Sequence, residues 1–226
     1  MEFALWLDAS LPGLSLAILS RSPSSVWKVV AEHHDDQLGA TSNINSILSR
    51  LLILVGVKSS EMTHLLVGVG PGSFTGIKVG MAWAFGFFAG QSQLKICGLS
   101  ALNLAATGIN VANSHILLKV TGNHGFMGSS FETYSEAAFE RADLEKCLRS
   151  KTVYLANAWP EVFENLLTLS IKPLQIENLR VLALKGLLTV INSDQIRWEV
   201  DFPQPRYLKQ STAEEKLVQI KEQKNG

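Results

Sequence analysis

One stretch concentrates the residue types that bind anions: Gly68-Val69-Gly70-Pro71-Gly72-Ser73-Phe74-Thr75-Gly76-Ile77-Lys78-Val79-Gly80. A strand that ends in glycines before a helix offers free backbone N–H groups and the positive end of the helix dipole, and together these would cradle a phosphate. The spacing is not that of the phosphate-binding P-loop, G-x-x-x-x-G-K-[ST], because Gly70 to Gly76 is followed by Ile77 and only then by Lys78. The competing use of the glycines is steric: Pro71 and Gly72 make a tight turn, while Gly76 and Gly80 let the helix backbone lie close to another element. Ser73, in Gly72-Ser73-Phe74-Thr75-Gly76, does not sit in the G-x-S-x-G elbow that exposes a nucleophile.

His33-His34-Asp35-Asp36 holds imidazole and carboxylate, the usual metal ligands, but neighbours on a strand point to opposite faces and a hydrated loop explains the cluster as well. The five histidines sit at 33, 34, 64, 115 and 124, so none are paired at i, i+4 on one helical face. Cys97 and Cys147 share no short metal or redox spacing and read as reduced structural thiols. Asp8 ends an apolar run, where Asp commonly forms a turn through its own hydrogen bonds. From these residues we expect no catalytic group, no metal and no cofactor.

The elements that would position these residues follow from periodicity. Phe3 to Ala9 and Leu14 to Leu19 read as a hairpin around Leu11-Pro12-Gly13, and a third strand follows over 25–32. Over 40–55, Ile44, Ile47, Leu48, Leu51, Leu52 and Val55 recur at helical spacing, with Gly56 as the stop. His64 to Val69 is a strand apolar on both faces, Ser73 caps a helix to Gly90, and a strand over 94–98 precedes a helix over 100–107. This order is that of an α/β lobe whose sheet begins antiparallel. Beyond Val111 the pattern restarts: strands over 115–121, 125–134 and 152–156, and helices over 135–148, 160–169 and 178–191. The expected organisation is an N-terminal lobe over 1–110, a divergent C-terminal lobe over 111–210 and a charged tail over 211–226.

The 226 residues, 46% of them hydrophobic, suffice for a real core. Lys plus Arg balances Asp plus Glu at 20 each, so the overall field gives no reason to expect direct binding to the polyanionic backbone of a nucleic acid. Residues 1–110 carry six charges of each sign and the remaining 116 carry fourteen of each, which makes the first half the apolar one. The opening Met1-Glu2-Phe3-Ala4-Leu5-Trp6-Leu7-Asp8 has no basic flank and meets an acid after five apolar residues, so we expect a cytoplasmic chain. From Phe74 to Gly90 the only charge is Lys78, and a helix apolar nearly all round must be covered nearly all round. The uncharged run is too short to span a membrane, which needs about 20 residues, so a partner's helix is the economical cover.

The glycine stretch closely resembles the G-x-G-P-G-S-F-T-G-x-R-x-G signature of the TsaB (YeaZ) family. Leu7-Asp8-Ala9-Ser10 is similar to that family's opening strand and Asp-Thr-Ser loop, Gly98-Leu99-Ser100-Ala101-Leu102 to its G-V-S-S-L segment, and Pro205-Arg206-Tyr207-Leu208-Lys209 to its P-x-Y-L-R. Two features depart from the family pattern: Ala40 stands where the first helix usually starts with His followed by Ser or Thr, and the D-A-R-x-x-E-V-Y segment is hard to see in Lys119 to Gly125. The resemblance implies a two-lobed fold of the actin, sugar-kinase and Hsp70 type, with mixed sheets flanked by helices. It implies a non-catalytic subunit that serves threonylcarbamoylation of adenosine 37 in tRNA. Such a subunit binds a TsaD-type catalytic subunit, is joined by a TsaE-type ATPase, pairs with itself when alone, and meets tRNA only indirectly. It places the interface on the two long helices of the first lobe, for which we expect Leu48, Leu51, Leu52, Gly76, Gly80, Met81, Ala84 and Phe87. It also leaves Asp8 and Ser10 as a residual nucleotide site, because active members of that superfamily hold a metal or phosphate loop there. A nucleotide-dependent ATPase or kinase of the same fold is the rival reading.

Overall fold

The computed structural model describes residues 1–35, 39–91, 93–111, 114–119, 124–129, 136–140, 152–156, 171–174, 176–193, 196–199 and 201–207. The first sheet contains β1 (Glu2–Asp8), β2 (Leu14–Arg21), β3 (Lys28–Asp35), β4 (His64–Gly68) and β5 (Lys95–Leu99) in the order β3-β2-β1-β4-β5. β1, β2 and β3 pair antiparallel, and β4 and β5 add parallel to β1. Parallel addition requires crossovers, which α1 (Ile44–Val55) and α2 (Phe74–Phe88) provide. A 3-10 turn over Ala40–Asn43 leads into α1, and Gly56 ends it with φ 75°.

The period of two splits the side chains cleanly. Leu5, Leu7, Leu16, Ile18, Leu65 and Val67 point to one face and pack against Ile44, Ile47, Leu48 and Leu51 of α1 and Ile77, Met81, Ala84 and Phe88 of α2. Ala4, Trp6, Ala17, Leu19, Leu66 and Cys97 point to the other, where α3 (Ala101–Gly108) and α4 (Ile176–Ile191) lie. α3 and α4 pack backbone to backbone, since a Cβ at Gly186 would collide with the Leu104 carbonyl and one at Gly108 with that of Leu182.

The second sheet repeats the first: β6 (Ser114–Lys119), β7 (His124–Ser129), β8 (Glu136–Glu140), β9 (Thr152–Ala156) and β10 (Ile171–Leu174) run in the order β10-β9-β6-β7-β8. β6 to β8 are antiparallel, and β9 and β10 extend β6 in parallel. Two sheets built alike thus stand on either side of α3 and α4, with Ile116, Leu118 and Phe126 joining the shared core. Glu136–Glu140 is a strand where helical periodicity was expected, because its apolar residues serve pairing with β7. Expectations for 141–148, 160–169 and 211–226 lie outside the described residues.

The chain then returns to the first lobe. Glu199 pairs antiparallel with Ile96 on the edge strand β5, through N–H to O distances of 2.7 and 3.1 Å, and the Arg206 N–H reaches the Val69 carbonyl at 2.8 Å. Pro203 lies over Gly98, and Trp198 meets His64, whose ring is wedged edge-on between it and Trp27. Trp198, Glu199, Pro203 and Arg206 thus all touch the first lobe.

Burial at this wedge lowers the His64 pKa to about 4, an effect that the nearby Glu2 only partly opposes. The folded imidazole stays neutral while an unfolded one protonates near 6.5, so stability from this residue is intact above that pH and is lost as pH falls toward 4. Urea unfolding between these limits should show that loss in the wild type, and His64→Gln should flatten the slope.

Candidate functional site

The end of β1 forms a dense local network. Asp8 is 2% exposed, and its Oδ1 accepts hydrogen bonds from the Ser10 hydroxyl and the Ser10 N–H (3.0 Å), while Oδ2 faces the Leu11 N–H at 3.4 Å. Burial pushes the Asp8 carboxyl up from its ordinary value, and the Ser10 and Leu11 hydrogen bonds and the charge of Arg180 pull it back. Gly68 is the reason the carboxylate fits: a Cβ there would occupy the position of Asp8 Oδ1.

The turn organised by Asp8 is the seat of the glycine-rich loop. The Ser10 carbonyl accepts the Ser73 N–H at 2.7 Å, and a Cβ at Gly72 would strike that same carbonyl. A Cβ at Gly76 would strike the Ala9 carbonyl. Ser73 caps α2 by accepting the Gly76 N–H at 3.1 Å, and Ile77 N–H turns back to the Ser73 carbonyl at 2.9 Å. The Ser73, Gly76 and Ile77 N–H groups at this helix N-terminus are thus bonded to the chain itself, and the glycines act as sites of close backbone approach. Asp8 and Ser10 come together, but with Ser10 donating and the Asp8 carboxylate accepting.

His33, His34 and Asp35 lie on β3, and His34 Nδ1 is 3.0 Å from the Ser15 hydroxyl. Cys97 is buried in the core shared by the lobes, and burial pushes its thiol up to about 12, which makes it an inert thiol.

Of the eight residues expected at a partner interface, Leu48, Leu51, Met81 and Ala84 are buried in the lobe's own core, between 0% and 7% exposed. Gly80 faces inward as well, since a Cβ on it would lie 3.1 Å from Leu7 Cδ2 and 3.2 Å from Ala9 Cβ. The Gly76-Gly80-Ala84 stripe is therefore the surface by which α2 sits on β1, the alternative the sequence left open. Leu52 is half-buried, and Phe87 keeps 38% of its surface exposed.

The opposite side of the two helices carries the uncovered apolar surface. Ile53 is 80% and Leu54 75% exposed on α1; Val79, Phe85 and Phe87 are 39%, 60% and 38% exposed on α2. Ala82 and Gly86 are exposed too, and nothing lies within 4 Å of a Cβ built on Gly86. The helices are tied together by the Trp83 indole N–H, which donates to Asn45 Oδ1 at 2.8 Å, and Trp83 stacks on Phe87 at 4.7 Å between centroids. Phe202 and Tyr207 of the returning segment pack against Phe85 and Phe74. The sequence signal for this face is the consecutive apolar run Leu51 to Val55, too long for one side of a helix: Leu51 is buried, and Ile53 and Leu54 are left outside.

Two sheets with the same β3-β2-β1-β4-β5 plan, the first flanked by the crossover helices α1 and α2, define the actin, sugar-kinase and Hsp70 class of fold. Residues 28–138 match the model of the family described as TsaD, tRNA N6-adenosine threonylcarbamoyltransferase. YeaZ from Pseudomonas aeruginosa superposes with a TM-score of 0.65 at 17% identity, covering 92% of this chain and all of that one. An uncharacterised protein with similarity to peptidase YeaZ, from Pseudomonas aeruginosa, superposes with a TM-score of 0.66 at 19% identity over the same shares. The fold is that of YeaZ. No curated protein matches the sequence.

Since Gly80 faces Leu7 and Ala9, Gly80→Leu should overpack the lobe and destabilise it by about 1–3 kcal/mol despite the better helix propensity of Leu. A thermal melt that is unchanged or raised would contradict the inward placement of this stripe.

Proposed function

We propose that this chain is the TsaB-type, non-catalytic scaffold subunit of the cytoplasmic machinery that threonylcarbamoylates adenosine 37 of tRNA. In this reading it binds a TsaD-type catalytic subunit through the outer face of α1 and α2. The carrying observation is that Ile53, Leu54, Val79, Phe85 and Phe87 remain exposed on two helices of one lobe. Large apolar side chains grouped on a monomer's surface mark a place where another chain covers them. Ala82 and Gly86 give that face small residues at one-turn spacing, over which an opposing helix backbone can lie close. A second copy of this chain would use the same face when the catalytic subunit is absent, and a TsaE-type ATPase would join the assembly. The match to the transferase family model and the YeaZ fold support this reading, and the balanced charge supports contact with tRNA only through the partner.

The rival reading, a nucleotide-dependent enzyme, would need the corner at Asp8 and Ser10 to receive phosphate. The hydrogen bonds that close that corner favour the scaffold reading. Ser73, the residue a peptidase reading would call on, is engaged as the cap of α2.

Reconstituting tRNA modification from purified subunits tests the proposal directly: the TsaD-type subunit should need this chain for full activity, and this chain alone should have none. Gly86→Leu meets nothing in the free chain, so its melting temperature should hold or rise slightly. The added side chain should displace the opposing helix and weaken association by at least about 2 kcal/mol, some thirty-fold. Unchanged affinity in Gly86→Leu, or modification by the isolated chain, would overturn the reading.

A further inference from the structure

The outer face of α1 and α2 has a charge pattern as well as an apolar one. Of the six acids among the first 110 residues, Glu2, Asp8, Glu32, Asp35, Asp36 and Glu61, none lies on either helix. Each helix carries one cation instead, Arg50 on α1 and Lys78 on α2, and both are exposed. Among the described residues neither has an ion-pair partner, and Lys78 Nζ stands over the Phe74 ring, 4.1 Å from its centroid.

Helical geometry sends these two cations to opposite flanks of the face. The hydrogen bond from Trp83 to Asn45 joins the helices, and residues five apart stand about 140° apart around a helix axis. Arg50 comes five residues after Asn45 and Lys78 five before Trp83, so each turns away from the seam. On α1, Arg50 shares a side with the exposed Ile53 and Leu54; on α2, Lys78 shares one with the exposed Ala82 and Phe85. The returning segment at the margin adds one charge of each sign, Asp201 beside Phe202 and Arg206 beside Tyr207, and so leaves the excess as it is.

Resting on the scaffold reading of this chain, we infer that the face selects a protein partner whose opposing helices carry carboxylates at their rim, and that it disfavours a second copy of itself. In a two-fold dimer the same patch meets itself, so the cations of each copy face a patch without a single acid. Charges at an interface rim act mainly on the association rate and its salt dependence, opposite signs speeding encounter and like signs slowing it. An anionic membrane fits less well, because lipid attraction draws on clusters of about four to eight cations and the two helices supply two.

Opposite responses to salt test this. Association of the purified chain with the TsaD-type subunit should slow at least about threefold between about 50 and 500 mM NaCl, where screening removes most of the attraction between exposed charges. Self-association, followed by sedimentation over the same range, should hold or tighten. Arg50→Glu combined with Lys78→Glu should melt as the wild type does, since both side chains are exposed, yet associate with the TsaD-type subunit at least about tenfold more slowly at low salt. Should that variant fail to fold, Arg50→Gln with Lys78→Gln must flatten the salt dependence. An association rate indifferent to salt and to charge reversal would overturn the charge reading and leave the docking face standing. No association at any salt would overturn both this reading and the scaffold role. Binding to phosphatidylserine vesicles that the double variant loses would overturn it in favour of a membrane.

Discussion

The seating of the β1–β2 turn on the glycine-rich loop is the contact on which the rest of the first lobe depends. Asp8 folds the turn around its own carboxylate, and the carbonyls of Ala9 and Ser10 then meet backbone at Gly76, Gly72 and Ser73. No side chain fits at Gly68, Gly72 or Gly76 without striking this turn. The approach places the N-terminus of α2 on β1 and turns the Ile77, Met81 and Ala84 side of the helix into the core. What the helix shows to solvent is a consequence of that seating. A loop whose composition suggests anion binding is here a joint between two elements, with the Ser73 N–H spent on the Ser10 carbonyl and the Gly76 N–H on the Ser73 hydroxyl.

Seating α2 in this way leaves a surface the lobe cannot cover. The first sheet has two faces: α1 and α2 take one, and α3 and α4 share the other with the second sheet. Among the described residues, no further element lies over the outer side of α1 and α2, apart from Phe202 and Tyr207 at its margin. Burial of side chains such as Phe85 and Leu54 by another chain would gain roughly 1.5–3 kcal/mol each, enough for a few residues to carry an interface. Among the described residues no helix is long and apolar enough to cross a membrane.

Much of the first lobe was legible in the sequence because its signals are local. The apolar runs Phe3 to Ala9 and Leu14 to Leu19, the cap Ser73 and Gly56 as a stop placed their elements within a few residues. The second lobe was less legible: Glu136–Glu140 is short and its strand character comes from β7 beside it, and Ile171–Leu174 carries too few residues to show a period. Of the residues expected at a partner interface on α1 and α2, Leu48, Leu51, Gly80, Met81 and Ala84 turn into the lobe's own core. Gly76, Gly80 and Ala84 form the more obvious small-residue stripe, but a stripe specifies close approach without saying to what, and Leu7 and Ala9 were the nearer claimants.

Hydrogen–deuterium exchange of the chain, alone and mixed with a TsaD-type subunit, measures the central claim most directly, because backbone protection reports where a partner lies without altering any residue. The account predicts new protection over residues 50–56 and 79–89, the outer parts of α1 and α2, with the turn over 8–13 already protected in the free chain. Protection that appears at residues 8–13 and 68–76 while α1 and α2 exchange as before would contradict it, and would return the function to the corner at Asp8.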